Sequence, residues 1–296
     1  MGSIGLLSLL PALALATAAS DSSRFVQYQS NTRSVVVVAH QDDWQLFMGD
    51  VIAAELKKGS QVTFVYLTAG DDGRDSLYWR TRERAALRST ATAMRAPFSD
   101  TAEQCATALV TAHPIRECVL GSTRSYFLRL PDGNRNGAGF TRYGNESLRK
   151  LRKKASRSIT AVDRSTRYSG WDDLITTVGE LISMSSVDGK GRVHTTDPSI
   201  AINPHDHFDH RLAGYMVADL RGRLKLAPMY YVGYALGTRA PNRNEDQVRD
   251  KTAVFGSYDR EMTRVNSKWS AYVEHPAFYS QCMLRTYHRT GRPARH

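Results

Sequence analysis

The sequence predicts an α/β fold with a mostly parallel sheet, and three observations predict it. Residues 35–38 are four consecutive valines with no polar alternation, the pattern of a strand buried on both faces. A stripe at helical spacing and then a second apolar run follow at once, which is the order of a βαβ unit. With 296 residues, 41% of them hydrophobic, the chain is long enough for one large core rather than two small ones.

The first twenty residues stand apart from that fold. Ile4 to Ala16 is apolar, and Ala16-Thr17-Ala18 is a small-x-small cleavage pattern, so residues 1–20 are expected to be a secretory leader. A positive n-region is missing, which makes a short membrane anchor over residues 4–16 the competing expectation. The stretch is shorter than the roughly 20 apolar residues of an ordinary span. Residues 21–296 are expected to form a single domain of a secreted protein, or of one anchored at a membrane.

Within that domain, Ser34 to Ala39 reads as the first strand. Phe47, Met48, Val51, Ile52 and Leu56 then mark a core-facing helix, closed by Lys57-Lys58-Gly59 with a cationic last turn and a glycine stop. Gln61 to Leu67 is the second strand, and residues 68–73 form a loop at its carboxyl end. Tyr78 to Met94 reads as a helix. Residues 95–125 contain two cysteines, two prolines and no strong period, and read as an excursion from the core. Tyr126 to Leu130 is a strand ending in Pro131-Asp132-Gly133, and the glycine-rich stretch 134–144 is a loop. Trp171 to Ser183 is a helix, Asp197 to Ile202 a strand, His210 to Leu220 a helix and Met229 to Tyr234 a late strand.

The net charge of +11 is concentrated. Arg149, Lys150, Arg152, Lys153, Lys154 and Arg157 crowd nine positions, which suits a solvated helix face or, second, an anionic partner. No aromatic residue interrupts the run, so a nucleic-acid groove is not expected. Of the three cysteines, Cys105 and Cys118 are spaced to staple a surface loop, which leaves Cys282 buried or unpaired.

Chemistry concentrates at two places. His40, Asp42 and Asp43 follow the first strand directly, where the ligand crevice of an open α/β sheet lies. His205-Asp206-His207-Phe208-Asp209-His210 places three of the nine histidines in six residues. Nitrogen and oxygen donors of this kind suit a hard or borderline divalent metal, zinc foremost. His40, one Asp and a histidine of the second cluster, with an open position for water, is the pattern of a catalytic zinc. Adjacent Asp42 and Asp43 cannot easily point the same way, so one is free to act as a base. Amide or ester hydrolysis suits these parts.

The motifs in this order resemble the PIG-L/LmbE-like family of zinc-dependent N-acetylglucosaminyl de-N-acetylases. The family's Ala-His-Pro-Asp-Asp-Glu stands here as Ala39-His40-Gln41-Asp42-Asp43-Trp44, and its His-Pro-Asp-His as His207-Phe208-Asp209-His210. Thr68-Ala69-Gly70, Arg80-Thr81-Arg82-Glu83 and Leu130-Pro131-Asp132-Gly133 look like the intervening motifs, and Lys251 with Tyr258 is similar to the closing helix. The resemblance implies a Rossmann-like three-layer sandwich. It implies zinc on His40, Asp43 and His210, Asp42 as general base, and His207 stabilising the oxyanion or protonating the leaving amine. It further implies that Asp209 orients a neighbouring histidine and that the substrate is an N-acetylated amino sugar. Gln41, Trp44 and Phe208 depart from the family pattern without removing a ligand. Trp44 is expected in the core or stacked on a sugar, and Arg80 and Asp132 are expected on the rim, where Arg80 either contacts a sugar or phosphate or solvates the loop. Asp71 and Asp72 read as turn chemistry, Arg74 as a contact to sugar or phosphate or a solvated loop residue, and His205 as a surface residue.

Two further functions compete with the deacetylase. One is a carbohydrate- or glycolipid-binding protein that keeps the metal but has lost turnover. The other is a zinc esterase or phosphoesterase.

Overall fold

The computed structural model describes residues 1–2, 33–99, 104–186, 191–224 and 227–291. The expected leader, or anchor at 4–16, lies outside the described residues apart from the first two.

In chain order the elements begin with β1 (Arg33–Val38), α1 (Asp43–Lys57), β2 (Gln61–Thr68) and α2 (Ser76–Met94). Next come β3 (Gln104–Val110), β4 (His113–Leu120), β5 (Thr123–Leu130) and α3 (Leu148–Arg152). A two-residue pair, β6 (Ile159–Thr160) and β7 (Arg167–Tyr168), precedes α4 (Trp171–Ser185) and β8 (Arg192–Thr196). The chain continues through α5 (Phe208–Leu224), β9 (Ala227–Tyr231) and α6 (Glu245–Val265). It closes with α7 (Ala271–Glu274), α8 (Pro276–Met283) and β10 (His288–Thr290).

The main sheet has the order β10-β9-β8-β1-β2-β5-β4-β3. Its five central strands run parallel, and antiparallel strands close both edges. Alternation within β1 explains the layers. Val36 and Val38 face a core shared with α1, α2 and α6, whereas Val35 and Val37 face one shared with α3, α4 and α5. Every valine of the run is buried because helices cover both faces of the sheet. The result is an α/β three-layer sandwich.

Two expectations are corrected. Residues 95–125 are not an excursion, because 104–120 form the β3–β4 hairpin at the sheet edge, joined across the pair by the Cys105–Cys118 disulfide. Its turn uses Thr111 and Ala112 at φ 47° and 73°, a conformation usually supplied by Asn-Gly, so the usual hairpin signal is missing. The disulfide therefore staples a hairpin rather than a loop, and Cys282 is buried and free. The strand expected at Asp197–Ile202 lies earlier, at β8. Pro198 lacks a ladder donor, and Asp197 Oδ1 takes the Ser199 N–H at 2.9 Å, which turns the chain out of the sheet.

Candidate metal centre and cleft

β1 has β2 on one side and β8 on the other, so the chain reverses direction of travel across the sheet at β1. Such a switch point opens a crevice at the carboxyl ends of the strands. His40 to Asp43 leave β1 there, Asp132 leaves β5, and the loop after β8 leads into the first turn of α5. Asp43 opens α1, and its Oδ2 accepts the His40 backbone N–H at 2.8 Å. Gly70, at φ +55°, lets the β2 exit pass close by, since a Cβ there would stand 2.6 Å from Gln41 Oε1.

Three side chains converge in the crevice. His210 Nε2 lies 3.0 Å from Asp43 Oδ1 and 3.1 Å from His40 Nδ1, and His40 Nδ1 lies 3.4 Å from Asp43 Oδ1. Donors bound tetrahedrally to zinc at 2.0–2.1 Å stand about 3.3 Å apart, so this triangle fits such an ion. The electrostatics agree. Burial opposes charge on His40, yet Asp43, Asp209 and Asp132 outweigh it and raise the His40 pKa well above the usual value. Burial likewise opposes charge on His210, but Asp43 and Asp206 raise it to about 10. Asp43, despite burial, is held well below the carboxylate range by His210 and His40. The carboxylates demand positive charge at this point, and a divalent cation would supply it in place of the histidine protons.

Two carboxylates back the histidines. Asp206 Oδ1 lies 2.9 Å from His210 Nδ1, so the ring's other nitrogen faces the triangle. Asp209 Oδ2 accepts the Gly133 N–H at 2.7 Å and lies 3.8 Å from His40 Nε2. A side chain at 133 would meet Asp209 Oδ1 at 2.6 Å, so the glycine permits this approach.

A cleft of about 890 Å³ opens over the triangle. Asp42 and His207, from the two distant motifs, both line it, as does Asp132. Arg82 Nη2 donates to Asp42 Oδ1 at 2.5 Å, and Arg82 Nε donates to Gln41 Oε1 at 3.2 Å. Gln41 Nε2 in turn donates to Thr68 O at 2.8 Å. The glutamine that replaces the family's proline thus ties the loop carrying Asp42 to β2 and to α2. The Asp209 N–H points at His207 Nδ1 (3.2 Å), which makes Nδ1 the acceptor and leaves the proton on Nε2. Burial, then the charge on His40, lowers the His207 pKa to about 4, so this ring is neutral at pH 7. Tyr78, Tyr234 and the segment 274–279 build the outer walls.

The structure brings His40, Asp42, Asp43, Asp132, His207, Asp209 and His210 together. Of the two places expected for Trp44 the structure shows the core, and Arg80, expected on the rim, is elsewhere. Trp44 is fully buried, its indole N–H donating to Tyr66 OH at 3.0 Å, because the start of α1 turns it into the core. Arg80 is exposed outside the cleft with its guanidinium 5.1 Å from the Trp79 ring centre. Arg82 takes the inward place, since it follows Tyr78 by one helical turn on the cleft side of α2. That spacing is visible in the sequence. Sequence reasoning also misses Asp206, although it lies four residues before His210, the separation at which side chains meet on a helical turn. No sequence signal marks the wall at 274–279. His205 lines the cleft, as does Asp72, whereas Asp71 is buried beneath and pushed up to about 7 by desolvation.

Fold and site together define a hydrolase-like α/β protein with a buried His/Asp metal-binding triangle at the sheet's switch point. The sequence profile of the PIG-L family, described as GlcNAc-PI de-N-acetylase, matches residues 35–220, and the chain belongs to that family of de-N-acetylases. No curated protein sequence matches it. Among solved structures, N,N'-diacetylchitobiose deacetylase from Pyrococcus horikoshii aligns over 89% of this chain and 85% of its own, at 15% identity and TM-score 0.47. A triple mutant of the deacetylase of the teicoplanin biosynthetic pathway aligns over 84% and 89%, at 12% identity and TM-score 0.46. The 4-carboxy-2-hydroxymuconate hydratase of Pseudomonas putida aligns over 83% and 88%, at 13% identity and TM-score 0.43.

Proposed function

We propose that the protein is a zinc-dependent hydrolase that removes the N-acetyl group from an N-acetylglucosamine-type sugar in a glycan or glycoconjugate, releasing acetate and a free amine. The observation that carries this reading is the His40/Asp43/His210 triangle, with Asp42 and the neutral His207 lining the cleft above it, in a chain of the PIG-L family. Zinc held by those three side chains would polarise an acetamide carbonyl and make water nucleophilic near neutral pH.

The chain's own residues do the rest. Arg82 holds Asp42 Oδ1, which leaves Oδ2 to accept a proton from the attacking water. His207 Nε2–H donates a hydrogen bond to the oxygen on which negative charge develops. The proton taken by Asp42 then goes to the departing nitrogen. Asp132 and Asn134, on the cleft wall, offer acceptors and donors to sugar hydroxyls.

Residues 4–16 and the pattern at Ala16-Thr17-Ala18 support secretion, with retention at a membrane as the alternative. The basic run at 149–157 supports an anionic partner.

Acetate release from N-acetylglucosamine oligomers, with zinc added and then chelated, tests the reading. Release that stops on chelation and returns with metal is expected. Zinc-loaded protein that frees no acetate from any N-acetylhexosamine glycan or glycolipid would refute it.

A further inference from the structure

The segment between β5 and α4 carries most of the chain's excess charge. Residues 135–167 hold ten of the 40 Lys and Arg and two of the 29 Asp and Glu. The fold arranges part of this charge in a line that starts at the cleft. Arg135 is exposed on the cleft lip, with its guanidinium 5.6 Å from the centre of the Tyr234 ring. Its carbonyl accepts the N–H of Phe208, the first residue of α5. The Phe208 ring centre lies 4.6 Å from the guanidinium of Arg149 and 5.0 Å from that of Arg211. Farther along α5, Arg152 lies over Tyr215 at 4.3 Å and 5.8 Å from Trp171. Lys153, Lys154 and Arg157 follow Arg152 in the chain, all three exposed. The sequence run contains no aromatic residue, but tertiary structure supplies the rings from α4 and α5.

These arginines differ from those that stabilise the fold. Arg129 pairs with Glu83 and Asp163, Arg243 with Asp50, and Arg289 with Asp197. Among the described residues, Arg135, Arg149 and Arg211 meet no carboxylate within 4.0 Å, and Arg152 reaches Asp219 only at 4.0 Å. Each is instead held by an aromatic face, and Arg135, Arg149 and Arg211 also donate to backbone carbonyls. A positioned guanidinium with unused N–H donors matches a carboxylate, sulfate or phosphate.

We infer that this line is a subsite track for the anionic continuation of a linear glycan whose acetamido sugar occupies the cleft. It rests on the amino-sugar reading above and narrows the substrate class to acidic polysaccharides. A lipid surface fits less well, because no exposed large hydrophobic side chain falls within 135–167 for insertion. Single-stranded nucleic acid fits less well too, since two guanidiniums already pack on the Phe208 ring and compete with a base for it.

The test compares hyaluronan oligosaccharides, which alternate N-acetylglucosamine with glucuronate, against neutral chitin oligomers of equal length. Binding to the full chain is titrated at low and high salt. The track predicts at least about tenfold tighter binding of hyaluronan at low salt, a preference that shrinks as charges are screened. Arg135→Gln/Arg152→Gln is expected to remove most of it with thermal unfolding unchanged. Should that variant not fold, Lys153→Gln/Lys154→Gln, both on exposed positions, is expected to reduce it in part. Equal affinity for the two glycans overturns the track, as does a preference that the folded variants retain. Tighter binding of phosphatidylserine vesicles or single-stranded DNA overturns the glycan assignment. Acetate release from chitin oligomers without a hyaluronan preference removes the track and leaves the deacetylase. A hyaluronan preference without acetate release from any glycan does the reverse.

Discussion

Asp206 Oδ1 stands 2.9 Å from His210 Nδ1, and this contact aims His210 Nε2 at Asp43 Oδ1, 3.0 Å away. The carboxylate decides which nitrogen faces the metal position and makes that nitrogen a better donor. Asp206→Asn keeps the volume but weakens the orientation. We expect zinc affinity to fall by about 10- to 100-fold with the fold retained, read by competition with a chromophoric chelator. Unchanged affinity would show that packing alone orients the ring.

Asp42 and Arg82 form the second decisive pair. Asp42→Asn is expected to lower kcat by about 10² to 10⁴ while bound zinc remains stoichiometric. Arg82→Lys loses the planar fork that reaches Asp42, Gln41 and Tyr78 together, and is expected to lower kcat by about 10- to 100-fold. Metal analysis and steady-state kinetics on the same preparations check both. Loss of zinc from Asp42→Asn would instead make Asp42 a ligand.

Trp44 carries a prediction of the opposite kind. Its burial and its bond to Tyr66 make it a packing residue, so Trp44→Phe is expected to destabilise the fold by about 1–3 kcal/mol through a lost hydrogen bond and lost volume. KM for substrate is expected to stay within about twofold, because the ring does not reach the cleft. A large rise in KM with stability intact would return Trp44 to the cleft.

The contact between α2 and α6 sets an acid limit. Glu261 is buried and accepts from Arg84, Arg88 and Arg264 at 2.6 Å each. Burial opposes the charge, but these arginines lower its pKa to about 2. A carboxyl lowered on folding stabilises the folded state above its unfolded value, near pH 4.5, and the stabilisation is lost as pH falls toward 2. Glu261→Gln is expected to cost about 2–3 kcal/mol at pH 7 and progressively less below pH 4, measured by urea unfolding at several pH values. A cost independent of pH would assign the loss to packing.

Much of the candidate site is legible in the order of residues along the chain. His40, Asp42, Asp43, His207 and His210 sit next to apolar runs, and a strand that ends in donors implies a site at its carboxyl end. Local rules fail where the partner is distant. The β3–β4 hairpin turns on Thr111 and Ala112, whose left-handed backbone no residue preference announces. Arg80 and Arg82 lie two apart on one helix, and only the direction in which α2 packs decides which reaches Asp42.

The sequence by itself determined the α/β class, the positions of the first buried strands and the donor chemistry of the centre, because these depend on periodicity and side-chain type. Tertiary structure alone decided that Gln41 and Arg82 brace Asp42, that Trp44 is core, and that residues 274–279 wall the cleft. Those relationships join residues far apart in the chain, or choose between neighbours, and both are set by how helices pack on the sheet rather than by local pattern.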